Sequence, residues 1–238
     1  MAIFKRSKKN KKRQRGRFIV IDGIDGSGKT TQFELLKQEL QLMGYKVEVI
    51  KFPRHSQTTA YFVDEYLKGT FGDLNPYAAS IFYAVDRFEA SVVIKNWLGE
   101  GKIVLADRYV VANAGHQGSR ISDPVERLKF FKWLDNLEYN IFGIPKPDLN
   151  IILNMPAMTA YRLLKSRKSD EKHTDNMHQK SLTHLRQAQE AYMQIAKLFP
   201  NTKMVECLAG KDVLSPQEIH NKVWELVRRI ALKDFKPQ

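Results

Sequence analysis

Residues 23–30 read Gly-Ile-Asp-Gly-Ser-Gly-Lys-Thr, and this stretch constrains the fold more than any other part of the chain. Two glycines separated by four residues and followed by Lys and Thr form the phosphate-binding loop pattern. In that pattern the backbone curls so that its N–H groups point at a phosphate, and the N-terminus of the next helix adds a positive dipole end. The pattern therefore predicts a loop between a strand and a helix.

The segments on either side of this loop fit that requirement. Residues 17–21 are β-branched and aromatic, and residues 32–42 are apolar at helical spacing. Lys29 is expected to reach the β- and γ-phosphates, and the Thr30 hydroxyl to complete the shell of a magnesium ion. We therefore predict that the chain binds a nucleoside triphosphate and Mg²⁺. The residues expected to bind the triphosphate are Gly23, Ile24, Asp25, Gly26, Ser27, Gly28, Lys29, Thr30 and Thr31.

Beyond the loop, strand-like and helix-like segments alternate, which predicts an α/β fold with a parallel sheet covered by helices on both faces. The expected strands are 17–21, 45–52, 103–106, 149–153 and a fifth centred on Val205. The longest expected helices are 77–98, 179–198 and 216–233, and residues 112–122 are expected to form a loop. With 238 residues and 43% apolar composition, residues 17–238 are expected to form a single domain.

The first residues of the chain carry most of its excess charge. Residues 5–17 contain nine Lys or Arg and no acid, which leaves about +4 of the net +13 for the rest of the chain. So dense a run of charge predicts a disordered, solvated tail over residues 1–16. Such a tail could act only as a solubiliser, or it could make weak contacts with nucleic acid through counterion release.

The remaining composition bears on where the protein acts. Cys207 is the single cysteine, so an internal disulfide is excluded, as suits a reducing compartment. No apolar run approaches the length of a membrane span, and no secretory signal is recognisable at the start. We expect a cytoplasmic protein without a membrane partner.

Charged residues follow several of the expected strands, where open α/β sheets bind their ligands. Asp107 ends the third strand and could hold a magnesium-bound water, although an Asp that caps the following loop fits the same position. Arg54, Arg87 and Arg108 come from three separate segments, and guanidinium groups suit forked recognition of phosphate. Their convergence near the loop predicts a second, phosphorylated ligand.

A basic and polar segment over about residues 162–178 predicts a lid that closes on the site. Phosphoryl transfer needs charge neutralisation and the exclusion of water more than covalent help. Arg162 and Arg167 are the candidates to meet the charge on the transferring group. Lys165 and Lys168 fit equally well as part of a solvated helix face.

Five motifs in order and spacing make the chain resemble the thymidylate kinase family, from about Gly16 to Tyr192. The motifs are Gly23 to Thr31, Phe52-Pro53-Arg54, Tyr83-Ala84-Val85-Asp86-Arg87, Asp107-Arg108-Tyr109 and Pro147-Asp148-Leu149. The resemblance implies the P-loop kinase fold with a five-stranded parallel sheet and a short lid. It also implies ATP and Mg²⁺ as co-substrate and cofactor, dTMP as acceptor, and a homodimer.

The resemblance also implies roles for individual residues. Arg54 and Arg108 would hold the phosphate of the acceptor, Tyr83 would stack on its base, and Arg87 would hydrogen-bond the edge of the base. Asp25 would lie near the acceptor sugar and the phosphates. Since the loop contains no arginine, Arg167 would act from the lid.

The chain departs from the family pattern in two places. Where the family usually has Ala-Tyr-Gln near the acceptor, this chain has Gly115-His116-Gln117, so His116 takes the place of an aromatic residue that usually guards the sugar against a 2′-hydroxyl. The lid reads Asp170-Glu171-Lys172-His173-Thr174-Asp175 in place of the usual Asp-Arg-x-Glu.

Two other functions remain open from the sequence. A deoxynucleoside kinase would keep the phosphate-binding loop and take an acceptor without a phosphate. A nucleotide-regulated nucleic-acid-binding protein would be built on the basic tail. A GTPase switch is disfavoured because no Asn-Lys-x-Asp segment is present to read guanine.

Overall fold

The computed structural model describes residues 14–55, 57–167, 175–199 and 201–237, with the backbone alone at residue 167 and residues 175–180. Its centre is a five-stranded, all-parallel sheet in the order β2-β3-β1-β4-β5. The strands are β1 (Arg17–Gly23), β2 (Val47–Lys51), β3 (Ile103–Asp107), β4 (Leu149–Asn154) and β5 (Thr202–Glu206). The predicted five-stranded parallel sheet is confirmed.

Eight α-helices of the described ranges surround the sheet. They are α1 (Lys29–Leu42), α2 (Tyr61–Leu67), α3 (Pro76–Gly99), α4 (Val110–Gly118), α5 (Pro124–Asp135), α6 (Ala157–Arg167), α7 (Asp175–Leu198) and α8 (Pro216–Leu226). A 3₁₀ turn (Thr58–Ala60) precedes α2, and π-helical turns follow α5 (Asn136–Ile141) and α8 (Val227–Ala231). Strands β6 (Leu208–Ala209) and β7 (Asp212–Val213) form a small antiparallel hairpin that the sequence pattern did not indicate.

Two groups of helices cover the sheet. Helix α1 packs against α8 and against β1 and β3, whereas α4 packs against α3, α5, α7 and β1. Both groups contact β1, the central strand of the sheet. All of β3, and all of β1 except Arg17, are buried, as expected for strands covered on both faces.

Helix α4 corrects the expectation that residues 112–122 form a loop. The segment contains Asn113, Gly115 and Gly118, which are poor helix formers. Tertiary packing overrides this weak propensity. Neighbouring rings pack so closely against the helix that a side chain could not fit at either glycine. A Cβ on Gly115 would lie 2.7 Å from the ring of Tyr192, and one on Gly118 would lie 2.4 Å from the ring of Phe131.

The buried side of α3 consists mostly of small residues and includes two charged ones. Ala79, Ala84, Ala90 and Ile94 are buried, as are Arg87 and Asp86. The large residues Tyr77, Ile81, Val85, Phe88 and Val92 are between 36% and 65% exposed. These five positions follow one another at helical spacing, so they form one apolar stripe that the described residues leave partly exposed.

Several predictions fall outside the described residues. Residues 1–13 of the basic tail and residues 168–174 of the lid are among them. The last part of the tail is described: Gly16 N donates to Leu98 O at 2.8 Å, and Arg15 forms an ion pair with Asp148. None of the helices in the described ranges combines the length and apolar character needed to cross a bilayer.

Candidate active site

A cavity of about 1290 Å³ opens at the carboxyl ends of β1, β2 and β3. Its size exceeds the range of roughly 300–1,000 Å³ that is usual for one small ligand. The residues lining it on the loop side and the adjacent strands are Asp25, Gly26, Gly28, Lys29, Thr30, Lys51 and Asp107. Those on the opposite wall include Tyr66, Tyr83, Arg87, Arg108, Asn113, His116, Gln117 and Arg120. Tyr161, Leu164 and Lys165 of α6 and His184 of α7 complete the wall.

The phosphate-binding loop joins β1 to α1, as its flanks predict. Gly26 has a φ of +82°, and a Cβ there would lie 2.4 Å from the carbonyl oxygen of Ala160. Only glycine fits where the loop turns beneath α6. Gly28 caps α1, so the N-terminus of that helix points toward the cavity, the arrangement that binds phosphate. Gly23, Ile24, Ser27 and Thr31 do not line the cavity, and the side chains of Ile24 and Ser27 are buried.

Lys29 lies over the loop with only 8% of its surface exposed. Its Nζ donates to Gly23 O at 3.0 Å and to Ile24 O at 2.9 Å, and lies 3.5 Å from Asp25 Oδ1. Burial, followed by the charge of Arg108, lowers the pKa of Lys29 to about 8 against the opposing effect of nearby carboxylates. The ammonium group is therefore positively charged at neutral pH and available to a phosphate.

Asp107 and Thr30 present oxygen atoms to the same cavity. Asp107 is 6% exposed, its Oδ2 lies 3.4 Å from Lys51 Nζ, and its buried Oδ1 has no hydrogen-bond partner among the described residues. A carboxylate and a hydroxyl that line one cavity are a donor set that suits a hard cation such as Mg²⁺. No group of three or more His, Cys, Asp or Glu in the described ranges could enclose a metal by itself. The site therefore fits a cation whose other ligands are phosphate oxygens and water.

Arg108 connects the loop to the opposite wall. Its backbone has a φ of +68°, a region that non-glycine residues rarely occupy outside constrained sites. One end of the guanidinium group donates to Asp25 of the loop, and Nη1 lies 2.7 Å from Nε2 of His116 on α4. The strained backbone thus holds a cation between the two ends of the cavity.

The charges around Arg108 fix the protonation states of its neighbours. Burial opposes ionisation of Asp25, but the charges of Arg108 and then Lys29 prevail and lower its pKa to about 2. Burial, reinforced by the charge of Arg108, lowers the pKa of His116 to about 3. At neutral pH Asp25 is an anion and His116 is a neutral ring, so His116 accepts from Arg108 at Nε2.

The far end of the cavity holds the residues expected to contact a base. Tyr83 lines the wall, and burial raises the pKa of its hydroxyl to about 12. Arg87, one turn further along α3, is 2% exposed and donates from Nε and Nη2 to the two carboxylate oxygens of Glu138, each at 2.6 Å. Gln117 is buried on the same wall and accepts from Arg120 Nη1 at 3.0 Å.

Arg54 lies behind the wall and does not line the cavity. Its Nε donates to Asp86 Oδ1 at 2.9 Å, and Nη2 bonds Thr59, the Asp86 carbonyl and Glu89. The structure therefore brings Arg87 and Arg108 together in one cavity. Arg54 lies outside the cavity lining and is bound to Asp86 and Glu89 of α3. A phosphate role for Arg54 stays a prediction.

The lid candidates are only partly described. Arg162 is exposed on α6 and does not line the cavity, whereas Lys165 of the same helix does. Arg167 ends α6, and its side chain lies outside the described residues, as does the whole of Lys168.

Sequence reasoning missed several residues of the site. Glu138 lies in the π-helical turn after α5, Arg120 just beyond α4, and His184 on α7, with its ring stacked 5.8 Å from that of His116. Asp22 is fully buried directly before the loop and accepts from Gly23 N and the Tyr192 hydroxyl. Arg120 could have been found from its spacing of three after Gln117 had α4 been recognised as a helix. The other three depend on contacts between distant segments.

Comparison with known proteins gives one consistent result. A family model described as thymidylate kinase matches residues 21–219. A probable thymidylate kinase of Pyrococcus horikoshii is 32% identical over 92% of this chain and 98% of its own length, and one of Pyrococcus abyssi is 31% identical over the same shares. A solved structure of a thymidylate kinase from Candida albicans has a TM-score of 0.65 at 23% identity, covering 90% of this chain and 92% of that one. At that identity the structural match supports the fold alone.

Proposed function

The chain belongs to the thymidylate kinase family, and we propose that it transfers the γ-phosphoryl group of ATP to dTMP, giving ADP and dTDP. The observation that carries the proposal is one continuous cavity of about 1290 Å³ with a phosphate-binding loop at one end and Tyr83 and Arg87 at the other. Arg108 lies between them. Such a cavity can hold two nucleotides with their phosphates facing each other.

At the loop end, residues Gly23 to Thr31 hold the triphosphate. Backbone N–H groups and the N-terminus of α1 face the β-phosphate, and Lys29 moves from the loop carbonyls to the β- and γ-oxygens. Thr30, by its hydroxyl, and Asp107, by its carboxylate, would hold Mg²⁺. When bound, Mg²⁺ offsets the negative charge of the phosphate oxygens during transfer.

At the acceptor end, Tyr83 stacks on the pyrimidine and Arg87 donates to its edge. Arg108 and Arg54 bind the phosphate. His116 and Gln117 border the sugar. An oxygen of the acceptor phosphate forms a bond to the γ-phosphorus while the bond from that phosphorus to the β-phosphate oxygen breaks. The attacking oxygen is already ionised, so no general base is needed, and Asp25 with a pKa of about 2 acts by orienting Arg108.

The lid supplies the remaining positive charge. We assign it to residues 162–178, with Arg167 meeting the charge of the transferring group. Lys165 already lines the cavity on the α6 side, which supports closure from this direction. Closing the lid excludes water and so prevents hydrolysis of ATP.

The test is a coupled assay with ATP, Mg²⁺ and a panel of acceptors: dTMP, dUMP, dCMP, UMP, dAMP and thymidine. The proposal expects the highest kcat/KM for dTMP and a requirement for Mg²⁺. Absence of transfer to both dTMP and dUMP would refute it. Higher activity with thymidine than with dTMP would favour a deoxynucleoside kinase, for which the carboxylate-bound Arg54 is the specific supporting observation.

The family and the surface of α3 together support a homodimer. The apolar stripe of α3 is continuous with Phe142, whose ring lies 5.2 Å from that of Phe88. Contiguous exposed apolar surface of this kind marks a protein–protein interface. Phe88→Glu is expected to give a monomer in sedimentation experiments, whereas Leu42→Glu, at an 84% exposed site on α1, leaves the assembly unchanged. A dimer that persists in the Phe88 variant would place the interface elsewhere.

We also propose that residues 17–238 form the catalytic domain, that residues 1–16 make weak contacts with nucleic acid, and that the enzyme acts in the cytoplasm. Nine Lys or Arg within residues 5–17 support the contact, and the buried thiol of Cys207 suits a reducing compartment. Deleting residues 1–13 should leave kcat/KM unchanged and abolish salt-dependent binding to a DNA oligonucleotide. Loss of turnover in this variant would contradict the assignment.

A further inference from the structure

The ion pair between Arg87 and Glu138 is the most completely buried one in the described part of the chain. Arg87 is 2% exposed and Glu138 is fully buried, 51 positions apart in sequence. The two side chains meet side-on, with Nε and Nη2 donating to Oε2 and Oε1, both at 2.6 Å. This geometry fixes both the position and the plane of the guanidinium group.

The third guanidinium nitrogen of Arg87, Nη1, takes no part in the ion pair with Glu138. No described residue accepts a hydrogen bond from Nη1, although Arg87 lines the cavity. An unused donor on an immobile guanidinium group that lines a cavity is available to a ligand. The Glu138 carboxylate, against the effect of burial, raises the pKa of Arg87, so the group stays charged in this apolar setting.

A contribution to the stability of the fold does not by itself explain the buried ion pair between Arg87 and Glu138. Buried ion pairs are often no more stabilising than apolar residues of the same volume, and in some proteins they serve to fix one arrangement of side chains. Glu138 lies in the π-helical turn that follows α5, with Phe142 N donating to Leu137 O at 2.8 Å across that turn. Single π-helical turns are concentrated at functional sites because they redirect side chains.

We propose that Glu138 is a positioning residue that sets base selectivity by holding Arg87 so that Nη1 can donate to the edge of the bound pyrimidine. The inference rests on the proposed function and extends it. Since a guanidinium group can only donate, a fixed Arg87 favours a carbonyl at that edge and disfavours an amino group. Pyrimidines with a 4-carbonyl are therefore accepted, and those with a 4-amino group are rejected.

The experiment compares dUMP with dCMP, which differ at that edge and share the same sugar, phosphate and 5-position. The affinity of each is measured by calorimetry, and kcat/KM by coupled assay, for the wild type and for Glu138→Gln. The amide of Gln can accept at one oxygen only and points its NH₂ at the other guanidinium nitrogen, so Arg87 rotates. The preference for dUMP over dCMP should fall by at least about tenfold, with the KM for ATP unchanged.

Two further variants separate positioning from folding. Leu134→Ala opens a cavity in the buried part of α5 and lowers Tm while leaving both members of the ion pair in place, and its preference for dUMP should equal that of the wild type. Glu138→Asp keeps the charge and should retain more of the preference than Glu138→Gln. It also provides the measurement if Glu138→Gln does not fold.

A Glu138→Gln protein, or failing it a Glu138→Asp protein, with the full preference of the wild type would overturn the inference while leaving the kinase assignment intact. A wild type that binds dUMP and dCMP equally would also overturn it. Failure to phosphorylate dTMP is a separate outcome, because it removes the proposed function and leaves the binding comparison able to test Glu138.

Discussion

The hydroxyl of Tyr192 on α7 donates a hydrogen bond to Oδ1 of Asp22, 2.7 Å away at the end of β1. Both residues are buried, and the ring of Tyr192 also lies against Gly115 of α4. The phosphate-binding loop begins one residue after Asp22. This single contact therefore joins the helix after the lid segment to the strand that presents the loop.

Replacing Tyr192 with Phe removes a donor from a buried carboxylate. We expect the free energy of unfolding to fall by about 1–3 kcal/mol, the cost of leaving a buried polar group with one partner fewer. Urea denaturation measures this change in the free energy of unfolding. Tyr45→Phe is the control, because its hydroxyl bonds the carbonyl of Phe235 at the opposite end of the chain. A smaller loss of stability in Tyr192→Phe than in Tyr45→Phe would contradict this prediction.

The ionisation of Asp22 gives stability a pH dependence. Burial raises the pKa of Asp22 above its ordinary value of 3.8, although Arg108 and the hydrogen bonds oppose the shift. The folded state thus binds the proton of Asp22 more tightly than the unfolded state does. The stabilisation from this proton is complete below about pH 3.8 and is lost as the pH rises through the pKa of the folded state. Asp22→Asn removes the titration. Relative to the wild type, the variant should gain stability between pH 4 and pH 7 in urea titrations, and a constant difference across this range would contradict the account.

The strands and the loop were predictable because β-branched runs and the Gly-Lys-Thr pattern are local signals. Helix α4 was not predictable, since Gly115 and Gly118 argue against a helix until the rings of Tyr192 and Phe131 are known to occupy the space beside them. Likewise, Arg87 could be assigned to the site from its motif, whereas Glu138, 51 residues later in a π-helical turn, has no local pattern.

The charge of Lys29 is expected to dominate turnover. Lys29→Met keeps most of the aliphatic stem and removes the ammonium group, which leaves the charge of the γ-phosphate uncompensated during transfer. We expect kcat to fall by roughly 10²–10³, the scale for losing one preorganised donor. Lys37→Met on the same helix removes only a surface ion pair with Glu34 and should retain full activity. A near-normal kcat in Lys29→Met would mean that the loop does not bind the transferred phosphate.

Arg108 is expected to act on the acceptor. In Arg108→Ala the acceptor phosphate loses its cation and Asp25 loses its partner, so the affinity for dTMP should weaken by ~2–4 kcal/mol. The affinity for ATP should change much less. Calorimetry with each nucleotide separates the two effects, and Arg15→Ala, which removes an exposed ion pair with Asp148, is the control. Unchanged dTMP affinity would move the acceptor phosphate to another site.

The central claim is that two nucleotides bind with their phosphates facing each other in one cavity between residues 23–30 and Arg87. The most direct measurement uses a single ligand in which adenosine and thymidine are joined through their 5′-oxygens by five phosphates. The account predicts that one molecule binds per chain, that it competes with both ATP and dTMP, and that its affinity exceeds that of either nucleotide. Competition with only one of them, or two molecules bound per chain, would contradict it.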